Sequence, residues 1–388
     1  MGQYDIPLTI DPDTLLRKTQ AIASFYGFTY LPDFLKSRKD RRQKATYPSG
    51  IDPKTMDPIA TPFAQFLRQM NEYDVDPTER PLFLWHSNAT PGRKAPKQMS
   101  VHFHILGVEK AIADALMVRT LQALTRELTK EDPVIRVNSV GDPETTTRYT
   151  KELASYLRRH IAQLSPQCQV YARQDPLEAL DHLLRYEDQI GYGAPSPLDY
   201  LSESSRVQLE EFLEYLEHTK TTYELAPHLI DARGNLDEVC FDLSTSTGSI
   251  ARGGRYTRLA ERFFPHGGHF ATGGVLRANA KVENECKALP RQRKKVPVVF
   301  VQLGPEAKRR SLSLLETLRE ANVPLKQAFG IESLVEQMKF ADSVNAPYLM
   351  IMGQKEALDG SVVIRDRRTN GQQAVRIDDL IEYLAALD

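Results

Sequence analysis

The chain of 388 residues has few cysteines, and the three that it has are far apart. Cys168, Cys240 and Cys286 are odd in number and lie at no metal-ligand spacing. This argues against a disulfide framework and against a cysteine-based zinc site. The cysteine usage is typical of a reducing compartment, so we expect a cytoplasmic protein.

Long apolar runs and net charge are also lacking. No run of about 18 apolar residues occurs, so no membrane span is expected, and the first residues lack the apolar core of a secretion signal. The net charge is −1. It provides no overall attraction to nucleic acid, so any RNA binding has to come from local basic patches.

What the sequence does contain is regular periodicity, over a length sufficient for two or three domains of about 100–200 residues. The spacing of apolar residues predicts helices at 11–27, 58–70 and 111–129, and strands at 81–85, 101–107 and 133–140. A mostly helical region follows as far as residue 217. The basic run 36–44 is interpreted as a solvated loop, with an RNA backbone contact as the alternative.

The organising stretch is 226–282, which predicts two or three strands and a short helix. Val239, Phe241 and Leu243 alternate with polar residues, a period typical of a half-buried strand. Gly253-Gly254 is interpreted as a turn that packs the sheet, with a phosphate cradle as the alternative. Gly273-Gly274 predicts tight turning or close approach of the backbone.

After a polar, basic and proline-interrupted segment at 287–295, the pattern changes to alternating strands and helices. Its order is βαβαβββα, with a hairpin turning at Asn370-Gly371. This predicts a small α/β domain with a mixed sheet.

These segments carry a family resemblance that covers nearly the whole chain. The core segments VNSVGDPETTTRYTKELASYL, DPLEALD and YELAPHL, followed by GGRY at 253–256, resemble histidyl-tRNA synthetases in content and order. The later segments VVFVQLGPEA, LLETLREANVPL and VVIRDRRTNGQQAVRI are similar to the anticodon-binding domain of class II synthetases.

The resemblance implies an α/β protein with two domains. Residues 1–286 are expected to form a class II synthetase-like core, an antiparallel sheet flanked by helices with a helical insertion at about 141–222. Residues 287–295 are expected to be a linker, and residues 296–388 an anticodon-binding-like α/β domain. Because relatives are dimers, a homodimer is expected.

The residues that perform chemistry in that family are largely replaced here. The family's LRPEGT becomes Met56-Asp57-Pro58-Ile59-Ala60-Thr61, so the glutamate that meets the amino group is Ile59. The family's FR-x-E aligns near Ala89-Thr90-Pro91-Gly92, which removes the arginine for the α-phosphate. FHQ-x-x-x-E aligns onto residues 103–109, where the glutamine is lost. The glutamate is kept as Glu109, the one retained candidate pocket acid.

The later motifs diverge similarly. The histidine-recognition segment RGLDYY aligns onto 231–236, or, with a slip of two residues, onto Arg233-Gly234. GGRY is intact but is followed by Thr257, and the last motif carries Arg277 at a glycine and Ala280 at the arginine. The resemblance implies that an arginine at position 277 obstructs a nucleotide.

We therefore interpret the remaining positions as a vestigial pocket without catalytic residues. Its members are Thr61, Arg93, Glu109, Arg233, Gly253, Gly254, Arg255, Tyr256 and Arg277. No cofactor is expected, with ATP and Mg²⁺ only if ligase activity persists. His86, His102 and His104 are interpreted as structural or solvent-facing, with a metal site as the less favoured reading because no carboxylate or cysteine lies at ligand spacing.

The leading hypothesis is a non-catalytic histidyl-tRNA synthetase-like protein that binds tRNA, another RNA or a protein partner in a regulatory role. The candidate RNA-binding residues are Arg365, Arg367, Arg368 and Arg376. Two alternatives are an active histidine–tRNA ligase and a structural subunit of another enzyme. The first alternative needs substitute cations from residues such as Arg93, Lys94, Arg252, Arg255 or Arg277.

Overall fold

The computed structural model describes residues 8–54, 56, 60–78, 80–90, 93–264, 269–281, 286–287, 289 and 298–387. These residues form two β-sheets with helices packed on them, one sheet of nine strands and one of five. The larger sheet lies before the proline-interrupted segment and the smaller one after it. The α/β architecture predicted from the sequence is therefore confirmed.

The chain starts with short strands and helices that lead into a hairpin. In order they are β1 (Thr9–Ile10), α1 (Pro12–Phe25), β2 (Thr29–Tyr30), α2 (Leu31–Lys36), α3 (Ala60–Glu72), β3 (Leu82–Ser87), β4 (Gln98–Leu106), α4 (Ile112–Thr129) and β5 (Val134–Gly141). The Asp11 carboxylate caps α1 by accepting a hydrogen bond from the Thr14 amide at 2.9 Å. The predicted helices are all present, and β4 begins three residues earlier than predicted.

A helical region then interrupts the sheet. It contains α5 (Pro143–Arg159), α6 (Pro166–Gln174), α7 (Pro176–Arg185), α8 (Gln189–Tyr192) and α9 (Glu203–His218). The chain returns to the sheet through β6 (Tyr223–Leu225), β7 (Asp237–Thr245), β8 (Gly248–Arg255), α10 (Thr257–Phe263) and β9 (Ala271–Ala280). Side chains of Asp142, Asp175 and Ser202 cap α5, α7 and α9, each accepting a backbone N–H.

The strand order of the large sheet is β2-β3-β4-β9-β8-β7-β5-β6, with β1 paired to β9. The central pairs are antiparallel, as predicted, and the parallel pairs are β1–β9, β2–β3 and β5–β6. His104 faces Gly273 across β4 and β9, and Gly273 in turn faces Gly254 on β8. Residues that are distant in the sequence thus share one face of the sheet.

Both faces of this sheet are covered. Helix α4 packs behind it, where Leu121 and Met117 approach the backbone of Gly274. Helix α3 lies on the opposite face, where Phe63 approaches Gly273. The prediction of a half-buried strand at β7 is therefore wrong, because its polar residue Asp242 is also buried.

The paired glycines lie inside strands rather than in turns, which corrects the predicted turn at Gly253-Gly254. A Cβ atom on Gly253 would lie 2.2 Å from the Gly273 carbonyl oxygen, and one on Gly274 would lie 2.5 Å from Leu121 Cδ1. Close approach of backbone and side chains is thus the reason for glycine here.

The last part of the chain forms the five-stranded sheet. Its elements are β10 (Val298–Gln302), α11 (Pro305–Glu320), β11 (Leu325–Gln327), α12 (Leu334–Ser343), β12 (Tyr348–Met352), α13 (Gln354–Asp359), β13 (Ser361–Asp366), β14 (Gln372–Arg376) and α14 (Leu380–Ala385). The strand order is β11-β10-β12-β13-β14, which is parallel through β12 and antiparallel beyond it. The predicted mixed sheet and its hairpin are confirmed, and the sequence analysis missed only the short α13.

The two sheets are joined by a buried polar contact between α11 and the first part of the chain. The Tyr26 hydroxyl donates to the Glu316 carboxylate at 2.8 Å. Arg319 pairs with the same carboxylate at 2.7 Å, and Arg119 and Arg126 each lie 3.7 Å from it. One carboxylate therefore connects both parts of the protein.

Among the residues that the structure describes, no helix combines the length and the apolarity needed to cross a bilayer.

Candidate functional site

The face of the large sheet under α3 carries a group of stacked rings, which we name the ring cluster. It consists of Phe63, Phe66, His86, His102, His104 and Tyr256. The Phe66 and His104 rings are 3.7 Å apart and parallel within 5°. Phe63 stacks on Tyr256 with ring centroids 4.4 Å apart. Side chains of the protein itself therefore fill this part of the face.

Glycine allows the rings to lie flat on the sheet. A Cβ atom on Gly273 would lie 2.8 Å from Tyr256 Cε1 and 3.0 Å from Phe63 Cε1. The glycine-rich motif thus retains its glycine for a contact with aromatic side chains. Any larger residue at this position would push α3 away from the sheet.

A chain of hydrogen bonds runs through the cluster. The Tyr256 hydroxyl lies 2.9 Å from His104 Nδ1, and His104 Nε2 lies 3.3 Å from His86 Nε2. Burial lowers the pKa of His86 to about 4 and holds the pKa of His104 well below its usual value. These imidazoles are therefore neutral at physiological pH.

All three histidines belong to the ring cluster. His102 and His104, two residues apart on β4, share one face of the sheet, and both are buried rather than solvent-facing. The nitrogens of His86 and His104 form a hydrogen bond with each other. No group of three or more potential metal ligands occurs among the described residues.

Arg255 of the GGRY motif is also committed to the structure. Its guanidinium is 3% exposed and lies 2.6 Å from the carboxylate of Asp114 on α4. Five hydrogen bonds use its N–H donors, two to Asp114 and three to the carbonyl oxygens of residues 108, 109 and 110. Since a guanidinium has five N–H donors, none is left for a phosphate.

Two further carboxylates lie beside this arginine. Burial raises the pKa of Asp237 to about 6. Burial, helped by the charges of Asp237 and Asp142, also raises the pKa of Glu238 to about 7. Glu238 has a positive φ of 50° at a bulge between β5 and β7, a strained conformation for this residue. The backbone of Glu238 is therefore strained, and the pKa values of both carboxyls lie close to neutral pH.

Directly before β7, the segment 231–236 forms a turn and leaves little space. The Asp231 carboxylate accepts hydrogen bonds from the amides of Arg233 and Leu236. The cavity between this turn and Tyr149 of α5 measures about 30 Å³. That volume holds about one or two water molecules, and is too small for an amino acid.

The structure does not bring the predicted vestigial pocket together. Arg93 and Arg233 are exposed, and Arg277 lies in β9 opposite Ser100. Thr61 donates to the Pro53 carbonyl at 3.1 Å. Asp57, Pro58, Ile59, Pro91 and Gly92 lie outside the described residues.

Glu109 does not act as a buried pocket acid, which corrects that prediction. Its side chain is exposed, and its carbonyl oxygen accepts from Arg255 at 2.8 Å. The buried acid is Asp114, five residues further on, which is fully buried. An aspartate among the apolar residues of a predicted core helix was the sequence signal for it.

Three of the four candidate RNA-binding arginines have contacts within the smaller sheet domain, and Arg365 makes one by donating to the Asn370 side-chain oxygen at 3.0 Å. Arg367 donates to the Ala346 carbonyl at 3.1 Å and pairs with Asp342. Arg368 pairs with Asp366 at 3.3 Å, although most of its side chain is exposed. Arg365 and Arg376 lie on β13 and β14, where positions 365 and 361 face positions 372 and 376. These two point to the same face of the smaller sheet.

Comparison with known proteins places this chain in a family context. Residues 297–387 match the HGTP_anticodon family, described as the anticodon binding domain. The histidine–tRNA ligase of Bacillus licheniformis is 29% identical over 291 residues, which cover 72% of this chain and 68% of the relative. The histidine–tRNA ligase of Corynebacterium jeikeium is 28% identical over 339 residues, 83% of this chain and 75% of the relative.

Among solved structures, the apo histidyl-tRNA synthetase of S. aureus superposes with a TM-score of 0.48 and 18% sequence identity, covering 95% of this chain and 94% of that protein. Most of this chain is thus similar to histidine–tRNA ligases, and its last part matches the anticodon binding domain family.

Proposed function

We propose that this protein is a non-catalytic histidyl-tRNA synthetase-like protein that binds tRNA or another RNA in a regulatory role. The observation that carries the proposal is the ring cluster, which fills the sheet face under α3 with stacked side chains. Among the described residues, these rings occupy the part of the face on which a bent triphosphate and an amino acid would have to meet.

Electrostatics supports the same proposal. Phosphoryl chemistry requires guanidinium groups aimed at the phosphate oxygens. Arg255 is occupied by Asp114 and by backbone carbonyls, and Arg93 lies exposed in a loop. Removal of one such electrostatic contact typically costs about 10²–10³ in rate, so the loss of several leaves no useful turnover.

RNA binding is proposed through the smaller sheet. This part of the chain matches an anticodon-binding family, and Arg365 and Arg376 share one of its faces. A cationic pair on a sheet face offers phosphate contacts despite the neutral charge of the whole chain. We expect the protein to act as a homodimer in the cytoplasm.

The decisive experiment measures histidine-dependent pyrophosphate exchange and tRNA binding on the same preparation. We expect no exchange above background and saturable binding of histidine tRNA. The double variant R365E/R376E should weaken tRNA binding at least about tenfold and reduce its salt dependence. The matched variant R206E, on the exposed surface of α9, should leave tRNA binding within about twofold.

A second candidate is an active histidine–tRNA ligase, because the relatives above carry that name. Clear exchange that depends on histidine would establish this candidate and overturn the first. If neither exchange nor RNA binding is found and a stoichiometric protein co-purifies, a structural subunit of another enzyme is the better interpretation.

A further inference from the structure

A cleft of about 360 Å³ opens beside the ring cluster, between α2, α3 and the end of β3. It lies at the β2–β3 end of the large sheet, whereas the small cavity at Asp231 adjoins α5 and the turn before β7, at the opposite end. Its volume is in the range that small-molecule sites occupy, about 300–1,000 Å³. The cleft is therefore distinct from the cavity at Asp231.

The cleft has an apolar floor and a cationic rim. Leu31 and Leu35, both buried, form the floor, and the ring of Tyr73 adds an aromatic wall. Lys36 and Lys39 line the rim. Lys36 pairs with Asp33 at 2.7 Å, while Lys39 has no ion pair among the described residues.

The surrounding segment strengthens the positive field. Residues 31–44 contain six lysines and arginines and only two acids. Arg42 lies over the Tyr73 ring at 5.7 Å and pairs with Glu72, which holds that part of the segment against α3. A low-dielectric cleft under a cationic rim concentrates anions.

The hydrogen-bond chain of the ring cluster supplies a neutral donor at the inner wall. Tyr256 is buried with His104 Nδ1 as its hydrogen-bond partner, so its hydroxyl proton is assigned to that bond; His104 then carries its own proton on Nε2 and donates to His86 Nε2. Because His86 Nε2 accepts this hydrogen bond, the proton of the neutral His86 ring is on Nδ1. His86 lines the cleft, and its N–H suits an anionic oxygen.

We propose that this cleft binds a phosphate ester of about mononucleotide size, with the phosphate at Lys36, Lys39 and His86 and the apolar body against Leu31, Leu35 and Tyr73. Two lysines act as point charges for a phosphate, and the neutral imidazole adds a directed hydrogen bond. The ligand is either a free nucleotide or the phosphorylated end of an RNA.

Isothermal titration with the full-length protein tests this proposal. The probes are AMP, UMP, adenosine, and a short RNA with either a 5′-phosphate or a 5′-hydroxyl. We expect AMP and UMP to bind and adenosine to bind at least about tenfold more weakly. Equal affinity for AMP and for the phosphorylated RNA identifies a free nucleotide as the ligand, and a preference of about tenfold for the phosphorylated RNA identifies an RNA end.

Three variants locate the site. K39E reverses a rim charge and should weaken binding at least about tenfold. Q69W fills the cleft from a half-buried position on α3 without changing charge, and should abolish binding while the circular dichroism spectrum is retained. K151E makes the same charge change on exposed α5 and should alter affinity by less than about twofold.

The proposal is overturned if no phosphorylated probe binds, if adenosine binds as tightly as AMP, or if K151E weakens binding as much as K39E. Retained binding in folded Q69W would also overturn it. Because the RNA-binding proposal rests on R365E/R376E, a tRNA that still binds when the cleft variants fail leaves that proposal intact.

Discussion

At the residue scale, Arg255 shows how a family motif can persist while its role changes. The arginine is retained, but it is buried and paired with Asp114, which lies 141 residues away in the sequence. A sequence motif records which residue is present, and only the structure shows which groups surround it. The GGRY motif alone therefore could not show that Arg255 pairs with Asp114.

The Arg255–Asp114 pair predicts a large stability effect. D114A leaves a buried guanidinium unpaired, which should lower the free energy of unfolding by about 3–5 kcal/mol. The control is D132A, which removes the 2.7 Å ion pair of Arg126 near the surface and should cost no more than about 1 kcal/mol. Urea unfolding measures both. Equal losses in the two variants would contradict a structural role for Asp114.

The acidic residues beside Arg255 predict an alkaline loss of stability. Their folded-state pKa values, about 6 for Asp237 and about 7 for Glu238, are raised above ordinary values. Between the ordinary pKa values of these carboxyls and the raised ones, the folded protein binds more protons than the unfolded chain. Stability therefore falls as pH rises through about 6 and 7. The melting temperature should decrease between pH 6 and pH 8, and E238Q should flatten that decrease.

The buried histidines predict a separate loss of stability in acid. The pKa values of His86, His102 and His104 are lowered by burial. The unfolded chain then binds more protons below about pH 6.5, so stability falls as pH decreases through that value. A melting profile with no acid decrease above pH 4 would show that these imidazoles are hydrated in solution.

At the element scale, α3 is the helix that closes the sheet face. Phe66 is 1% exposed and lies against His104. F66A should lower the free energy of unfolding by about 3–5 kcal/mol, because it opens a cavity in the stacked rings. Q65A, at the adjacent exposed position of the same helix, should change it by less than about 0.5 kcal/mol. Comparable effects of both substitutions would mean that α3 does not cover the face in solution.

The same element shows which features a single sequence can predict. The spacing of apolar residues predicted α3, because periodicity reports directly on burial. It could not identify what α3 packs against, since that depends on strand pairing across 200 residues. The glycines of β8 were misread as a turn for the same reason, and for those of β9 the sequence left tight turning and close approach open. A glycine that packs against a ring and a glycine in a turn are identical in sequence.

At the scale of the whole molecule, the contact between the two sheets fixes how they are presented to a large ligand. Tyr26, Arg119 and Arg126 from the first part meet Glu316 and Arg319 of α11. Neither the composition of the chain nor the family order of its segments predicts this contact. Glu316 lies 290 positions after Tyr26 and 190 positions after Arg126 in the sequence.

This contact predicts cooperative unfolding of the two parts. E316A leaves three arginines without their shared carboxylate, and their mutual repulsion should loosen the smaller sheet from the first part of the chain. Scanning calorimetry should give one transition for the wild-type protein and two for E316A. The control E336A, on the exposed surface of α12, should keep one transition. If E316A still melts in a single step at the wild-type temperature, the carboxylate does not couple the two parts, and a rigid arrangement of the two sheets must depend on their apolar contacts alone.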